Sequence, residues 1–362
     1  MKNIYLQILK HLPDYSHLIL ATVTRSKGST PQKPGSSALF IEQGLISGTV
    51  GGGIIEGKVQ NIVMDAFLSG ESGHFHFNLD YDISKTEEAI CGGQISILVD
   101  ASPNKSITVF KQIKQSMSER IPGVLITMLT NQKDESVTIK RYWMTGNDKP
   151  SMPEQFSEMI ESVTRMLLST TKPSDYKELE LPITDEESSS QFFLEPIFPP
   201  EQLIIAGAGH IGKSLAHLGA MLDFEVTVID NRAEYANAEN IPSADHIVVK
   251  DIGHAIRELK KSDNTYLVIV TRGHKDDAEA LKPCIGSGVT YIGMIGSKNK
   301  IATMRSSFIE KGWSSAAQWE KIYAPIGLEI KSKTVEEIAV SIAAQLILVR
   351  NSRKLEEVDS KK

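Results

Sequence analysis

Apolar positions change their spacing along the chain, and each change marks an element. Residues 3 to 12 carry them at helical intervals, then HLILATVT (17–24), SSALFIE (36–42) and LISGTV (45–50) are short runs that read as strands. Glu42-Gln43-Gly44 supplies a hairpin turn between the last two. Beyond the glycines at 51–53, Ile55, Val59, Ile62, Val63 and Ala66 return to helical spacing, and Gly70 provides a stop. FHFNLD and a polar acidic stretch follow. In CGGQISILVD (91–100), Ile95, Ile97 and Val99 then alternate as in a half-buried strand. More strand and helix runs to about residue 168. Residues 170–202 are polar, acidic and proline-punctuated, with the strand-like FFLEPIF near their end.

The texture changes after Pro199-Pro200, which we take as the boundary between domains 1–199 and 200–362. LIIAGAGHIGKSLAHLGAMLDFEVTVIDNR reads as strand, glycine turn, helix, strand. HIVV, TYLVIVT and VTYIGMIG add continuous apolar runs with helical patterns between them. Such alternation predicts an α/β fold: a C-terminal Rossmann-like doubly wound parallel sheet, preceded by a separate mixed α/β N-terminal domain. TVEEIAVSIAAQLILVRN closes the chain as a helix opened by a Thr334/Glu337 capping box and lined by Val335, Ile338, Ile342 and Leu346.

Composition narrows the function classes. The chain has 362 residues, 41% hydrophobic and 23% charged, enough for two globular cores. A formal net charge of −6 argues against nucleic acid as a partner. No run approaches the 18 or more apolar residues of a membrane span, and the start lacks a signal-peptide core, so a cytoplasmic protein is expected. Cys91 and Cys284 are too few for a disulfide framework and lack CxxC spacing.

Two glycine segments carry candidate chemistry. In GTVGGGIIEGKV (48–59), Gly52, Gly57 and Lys58 begin a P-loop pattern, but Val59 stands where that loop needs Ser or Thr for magnesium. The better reading is a strand-to-helix turn in which Gly51, Gly52 and Gly53 bring backbone amides to a ligand, with Glu56 one turn into the helix. In the second domain, Gly207, Gly209 and Gly212 form a GxGxxG that follows an apolar strand and opens a helix with His210, and Asp230 ends the next strand. The glycines allow a tight turn and close approach to a phosphate, and Asp230 is placed to accept ribose hydroxyls. Gly296, Ser297 and Lys298 follow another strand and suit a phosphate. His274, Asp276 and Asp277 are candidates for a metal or proton transfer, with helix capping as the plain alternative.

Taken together, GSTPQKPGSSALF, GTVGGGIIEG, CGGQISILVD, FFLEPIFPPEQLIIAGAGHIG, VIDNR, YIGMIGSKNK and APIGLEIKSKTVEEIAVSIAAQLI resemble the XdhC/CoxI family over nearly the whole chain. The resemblance implies an accessory factor more than an independent enzyme. Such a factor binds molybdenum cofactor as cargo, favours its sulfurated form with a cysteine desulfurase, and assists insertion into an apo-enzyme of the xanthine dehydrogenase type. Beside the resemblance stands a physical expectation: Gly51–Gly53 with Glu56 in one domain and GAGHIG with Asp230 in the other supply amide donors as two walls of a cofactor cleft, Gly296–Lys298 adds a phosphate contact, and Cys91 is either a sulfur or molybdenum contact or a buried structural residue. A nucleotide at the Rossmann turn is a further expectation. Ile54 stands where many family members carry Cys, and Arg272 where a His is common. The alternatives from other classes are an NAD(P)-dependent oxidoreductase, which lacks a Tyr-x-x-x-Lys pair here, and a nucleotide-responsive regulator. A homodimer is the default assembly.

Overall fold

A computed structural model describes residues 3–79, 93–131, 137–146, 148, 150, 152–169, 176–182 and 189–359. Cys91 lies outside the described residues. The chain forms two compact units that meet in sequence at Pro199 and Pro200.

Among the described residues the first unit is a stack of two antiparallel sheets and four α-helices. Strands β1 (Ile19–Gly28), β2 (Ser37–Ile41), β3 (Gly44–Gly48), β4 (Gly73–Asn78) and β5 (Gly93–Asp100) form one sheet in the order β3-β2-β1-β5-β4. Strands β6 (Gly123–Asn131), β7 (Val137–Thr145), β8 (Lys177–Pro182) and β9 (Ser189–Ile197) form the other, ordered β7-β6-β9-β8. The period-2 alternation along β1 decides which layer each residue joins. Ile19, Ala21 and Val23 face helix α2 (Ile54–Ser69), which buries Ile55, Val59, Val63 and Ala66 against them. Leu18 and Leu20 face the opposite way, toward Tyr5 and Ile8 of α1 (Ile4–His11), Phe110 and Ile113 of α3 (Ile107–Ser118), and Leu125 and Trp143 of the second sheet. On that sheet's far side, α4 (Glu154–Leu168) packs Phe156, Ile160 and Leu167 on Val124, Ile126 and Leu194. Burying Val59 alone removes an apolar side chain worth about 1.5–3 kcal/mol from water.

The second unit is a five-stranded parallel sheet, β10 (Gln202–Ala206), β11 (Glu225–Asp230), β12 (His246–Val249), β13 (Thr265–Ile269) and β14 (Tyr291–Met294), in the order β12-β11-β10-β13-β14. Both faces are covered, which is why the central strands are apolar without interruption. Leu203, Ile205, Val226, Val228 and Tyr266 pack on α5 (His210–Met221) and α10 (Val335–Asp359). Ile204, Ala206, Ile229, Leu267 and Ile269 pack on α6 (Ile252–Glu258), α7 (His274–Leu281) and α8 (Lys298–Glu310). The short α9 (Ala316–Trp319) adds Trp319 to that side.

The Thr334 capping box is formed: Glu337 N–H donates to Thr334 Oγ1 at 3.2 Å, and Thr334 N–H to Glu337 Oε2 at 3.1 Å. The fully packed stripe of α10 differs from the expected one. Ala339, Ile342, Ala343 and Leu346 are buried, whereas Ile338 is only partly so and Val335 lies at a groove. Small alanines let α10 approach α5 closely, an effect a count of large apolar residues overlooks.

Candidate functional site

In an open parallel sheet, ligands bind at the carboxyl ends of the strands, near the point where the chain reverses its direction of winding. Here that point lies between β10 and β13, the first and fourth strands of the unit. The GAGHIG turn leaves the end of β10. Its glycines have separate reasons. Gly207 adopts φ +118°, and an added Cβ would sit 2.6 Å from the Val270 carbonyl oxygen. A Cβ on Gly212 would lie 1.9 Å from the Gly207 oxygen. These two are demanded by the turn and by the seating of α5. Gly209, the N-cap residue of α5, instead faces open space and leaves the helix without a side-chain cap. The amides of the first turn are therefore open to an anion, and the helix dipole favours one.

Asp230 ends β11, where the motif places it, but its carboxylate is engaged. Its Oδ2 accepts from the Ala208 backbone N–H at 2.8 Å and from Arg232 Nη2 at 2.8 Å, and its Oδ1 from Arg232 Nε at 2.9 Å and Arg232 N–H at 3.1 Å. Burial raises its pKa, but the hydrogen bonds from Arg232 and Ala208 outweigh this and hold it below the usual aspartate value.

The next two strand ends behave differently from the sequence expectation. His274, Asp276 and Asp277 do not converge. Asp277 is fully buried, accepts a 2.6 Å hydrogen bond from Thr271 Oγ1 and pairs with Lys300, while His274 is exposed. Helical geometry explains this, because consecutive residues point around the helix and only one faces the sheet. Among the described residues no three His, Cys, Asp or Glu side chains gather as a metal site. Ser297 caps α8 by accepting from the Lys300 N–H at 3.3 Å, Gly296 packs against Ile301, and Lys298 is exposed. Arg272 and Lys298, in the loop before α7 and at the head of α8, are exposed and give this edge two cationic side chains, and His210 and His274 are exposed at the heads of α5 and α7. A groove of about 520 Å³ runs beside α5, lined by His210, Lys213, His217, Leu218, Val335 and Val340.

In the first unit, Gly53 is the N-cap of α2 and also supplies no side-chain cap, with Gly52 and Gly53 exposed. Gly51 is buried and its N–H donates to Thr49 Oγ1 at 3.1 Å, so it has no amide to offer a ligand. Glu56 lies in the first turn of α2.

Sequence reading missed a second polar centre, inside the first unit. A cavity of about 10 Å³ between the sheets is lined by Tyr5, Thr22, Thr24, Thr127, Arg141, Tyr176 and Glu195, among others. Tyr5 Oη donates to Glu195 Oε2 at 2.5 Å. Burial raises the Glu195 pKa from 4.5 to about 7, opposed by the Tyr5 hydrogen bond and the Arg141 charge. Arg141 is itself buried and paired with Asp100. Next to the cavity, His74 bonds Thr24 Oγ1 at 2.8 Å, and burial lowers its pKa to about 4. The signal was available in the sequence, since Glu195 interrupts the apolar FFLEPIF and Arg141 precedes YWM.

A Rossmann-type unit with an open glycine turn, joined to a two-sheet α/β unit, defines a class of ligand-handling proteins without fixing the ligand. Residues 203–346 match the model of the XdhC Rossmann domain, and residues 15–78 that of the XdhC and CoxI family. The chain belongs to the XdhC and CoxI family. It is similar to a protein of Bacillus subtilis (strain 168) named as a probable xanthine dehydrogenase subunit, 24% identical over 97% of this chain and 98% of the relative. It also resembles the "Uncharacterized protein YqeB" of Escherichia coli (strain K12), 28% identical over 42% of this chain and 28% of that protein. A crystal structure described as a xanthine dehydrogenase from Bacillus halodurans shares the fold, with a TM-score of 0.72 and 23% identity over 96% of each chain. No helix among the described residues is long and apolar enough to cross a membrane.

Proposed function

We propose that the protein is a cytoplasmic maturation factor for a xanthine dehydrogenase-type molybdenum hydroxylase, which holds molybdenum cofactor as cargo and assists its sulfuration and insertion. Family membership and the name of the Bacillus subtilis relative, matched over nearly its whole length, support association with such an enzyme. The observation that carries the ligand side is the uncapped head of α5 at Gly209, where a side chain would meet open space, on the same edge of the sheet as exposed His210, Arg272 and Lys298. Molybdenum cofactor is an anionic pterin bearing a phosphate, and it needs amide donors and positive charge rather than a hydride-transfer relay. The head of α2 at Gly52 and Gly53 offers amides of the same kind in the other unit. A cysteine desulfurase is the sulfur source in this reading, the apo-enzyme is the acceptor, and the factor acts as a homodimer.

Anaerobic titration of the purified chain with molybdenum cofactor, followed by activation of apo-xanthine dehydrogenase, tests the proposal. Gly209→Ala is expected to weaken cofactor binding and activation together while the protein stays folded. Tight binding of NAD(H) with no affinity for molybdenum cofactor would instead favour an oxidoreductase.

A further inference from the structure

Recognition of a ribose diol at a Rossmann turn depends on the acidic residue that ends the second strand, and in this chain that residue has no capacity left. An ionised carboxylate offers about four acceptor positions. All four on Asp230 are taken, three by Arg232 and one by the Ala208 amide, and only 3% of the side chain is exposed. Arg232 is held in turn. Its side chain is 14% exposed, and its guanidinium carbon lies 3.9 Å from the centre of the Tyr235 ring. A ribose hydroxyl would have to displace a two-pronged, charge-assisted pair in exchange for a weaker neutral donor. The Ala208 amide, tied to the same carboxylate, is also withheld from a ligand, which leaves the first-turn amides of α5 for a single phosphate group.

We propose that the Arg232 clamp on Asp230 makes the Rossmann turn select against NAD-type dinucleotides, which are read through a ribose diol, in favour of ligands held through a phosphate alone. This rests on the reading of the α5 head as a phosphate site. Arg232 is then the specificity-determining residue, acting by occupying Asp230.

The test is titration of the full chain with NADH, followed by nicotinamide fluorescence, for wild type, Arg232→Ala, Arg232→Gln and Asp230→Asn, each checked by thermal melting. Both Arg232 variants are expected to bind NADH at least about tenfold more tightly than wild type, the effect of one hydrogen bond to a charged acceptor. Asp230→Asn is expected to leave the weak wild-type affinity within about threefold. A gain below tenfold in the folded Arg232 variants overturns the clamp. So does wild-type NADH binding that Asp230→Asn weakens tenfold, an arm that needs neither arginine variant to fold. Molybdenum cofactor binding is measured on the same samples by the pterin fluorescence it releases on denaturation. If it is absent while NADH behaves as expected, the cargo reading fails and the clamp stands.

Discussion

Replacing Glu195 by Gln should change how the first unit responds to pH, and the sign follows from the cavity. Burial raises the folded-state pKa of Glu195 from 4.5 to about 7, so the folded protein holds this proton more tightly than the unfolded chain does. The stabilisation is full below pH 4.5 and is lost as pH rises through 7. Between pH 5 and pH 8 the two pKa values give a loss of about 2.5 kcal/mol by linkage. Glu195 is only partly shielded from solvent, which reduces this to about 2 kcal/mol. Gln keeps the shape and can still accept from the Tyr5 hydroxyl, yet it does not titrate. The difference in unfolding free energy, wild type minus E195Q, should therefore fall by about 2 kcal/mol from pH 5 to pH 8.

Urea titrations read by Trp143 fluorescence measure this. Trp143 is buried in the same unit, with its indole N–H bonded to Ser116 at 2.9 Å. Phenylalanine at Trp313 and Trp319, the only other tryptophans, leaves the signal to that unit. Subtracting one protein from the other cancels every titration they share. A difference that stays flat, or that grows with pH, would refute the argument, because it would mean that Tyr5 and Arg141 stabilise the carboxylate at least as much as burial penalises it.

His74 should show the opposite slope: its pKa is lowered from 6.5 to about 4 by burial, so its contribution is present above pH 6.5 and lost as pH falls through 4. His74→Gln should remove an acid destabilisation on the order of 2–3 kcal/mol, read in the same urea series. Lys300→Met leaves the fully buried Asp277 without its cation and should cost about 3–5 kcal/mol, with Asp277→Asn in the same chain restoring most of it on thermal melting. Gly212→Ala drives a Cβ to 1.9 Å from a backbone oxygen and should destabilise by more than about 2 kcal/mol. Gly209→Ala, extended at φ −72° and facing open space, should cost under about 1 kcal/mol. Equal losses from the two glycines would refute the division of roles within GAGHIG.

The parallel sheet was legible because its physics is local. A strand buried on both faces must be apolar throughout, so QLIIA, EVTVID and TYLVI identify themselves, and the glycine turn and Thr334 capping box fix the helix starts. In the first unit β1, β2, β3, β5 and β9 were legible, but β8, whose KELELP is half charged and lies in the stretch read as a polar connection, was not, nor were the partners of any strand. β1 lies between β2 and β5, and β9 between β6 and β8, pairings set by which faces meet across the layers rather than by any neighbouring residue. Glu195 shows the cost of reading a strand by its apolar majority. It is one polar letter within FFLEPIF, although one carboxyl in such a run must find a donor or hold its proton, and here it does both.

The same limit governs the Rossmann turn, where the motif predicted the positions of Gly207, Gly209, Gly212 and Asp230 but not the state of their donors and acceptors. A pattern of letters records which atoms could meet a ligand, whereas binding depends on which of them remain unpaired once the chain has folded. Two residues beyond Asp230, Arg232 consumes the acceptor that the motif advertises, and Thr49 consumes the Gly51 amide in the other unit. What is left at both helix heads is a set of amides with no side-chain cap, donors suited to a phosphate, and at the Rossmann turn the neighbouring carboxylate is closed to a ribose diol. Under the proposed function, a factor that passes a pterin phosphate onward gains from that closure, since cellular dinucleotides recognised through their ribose would otherwise compete for the same turn.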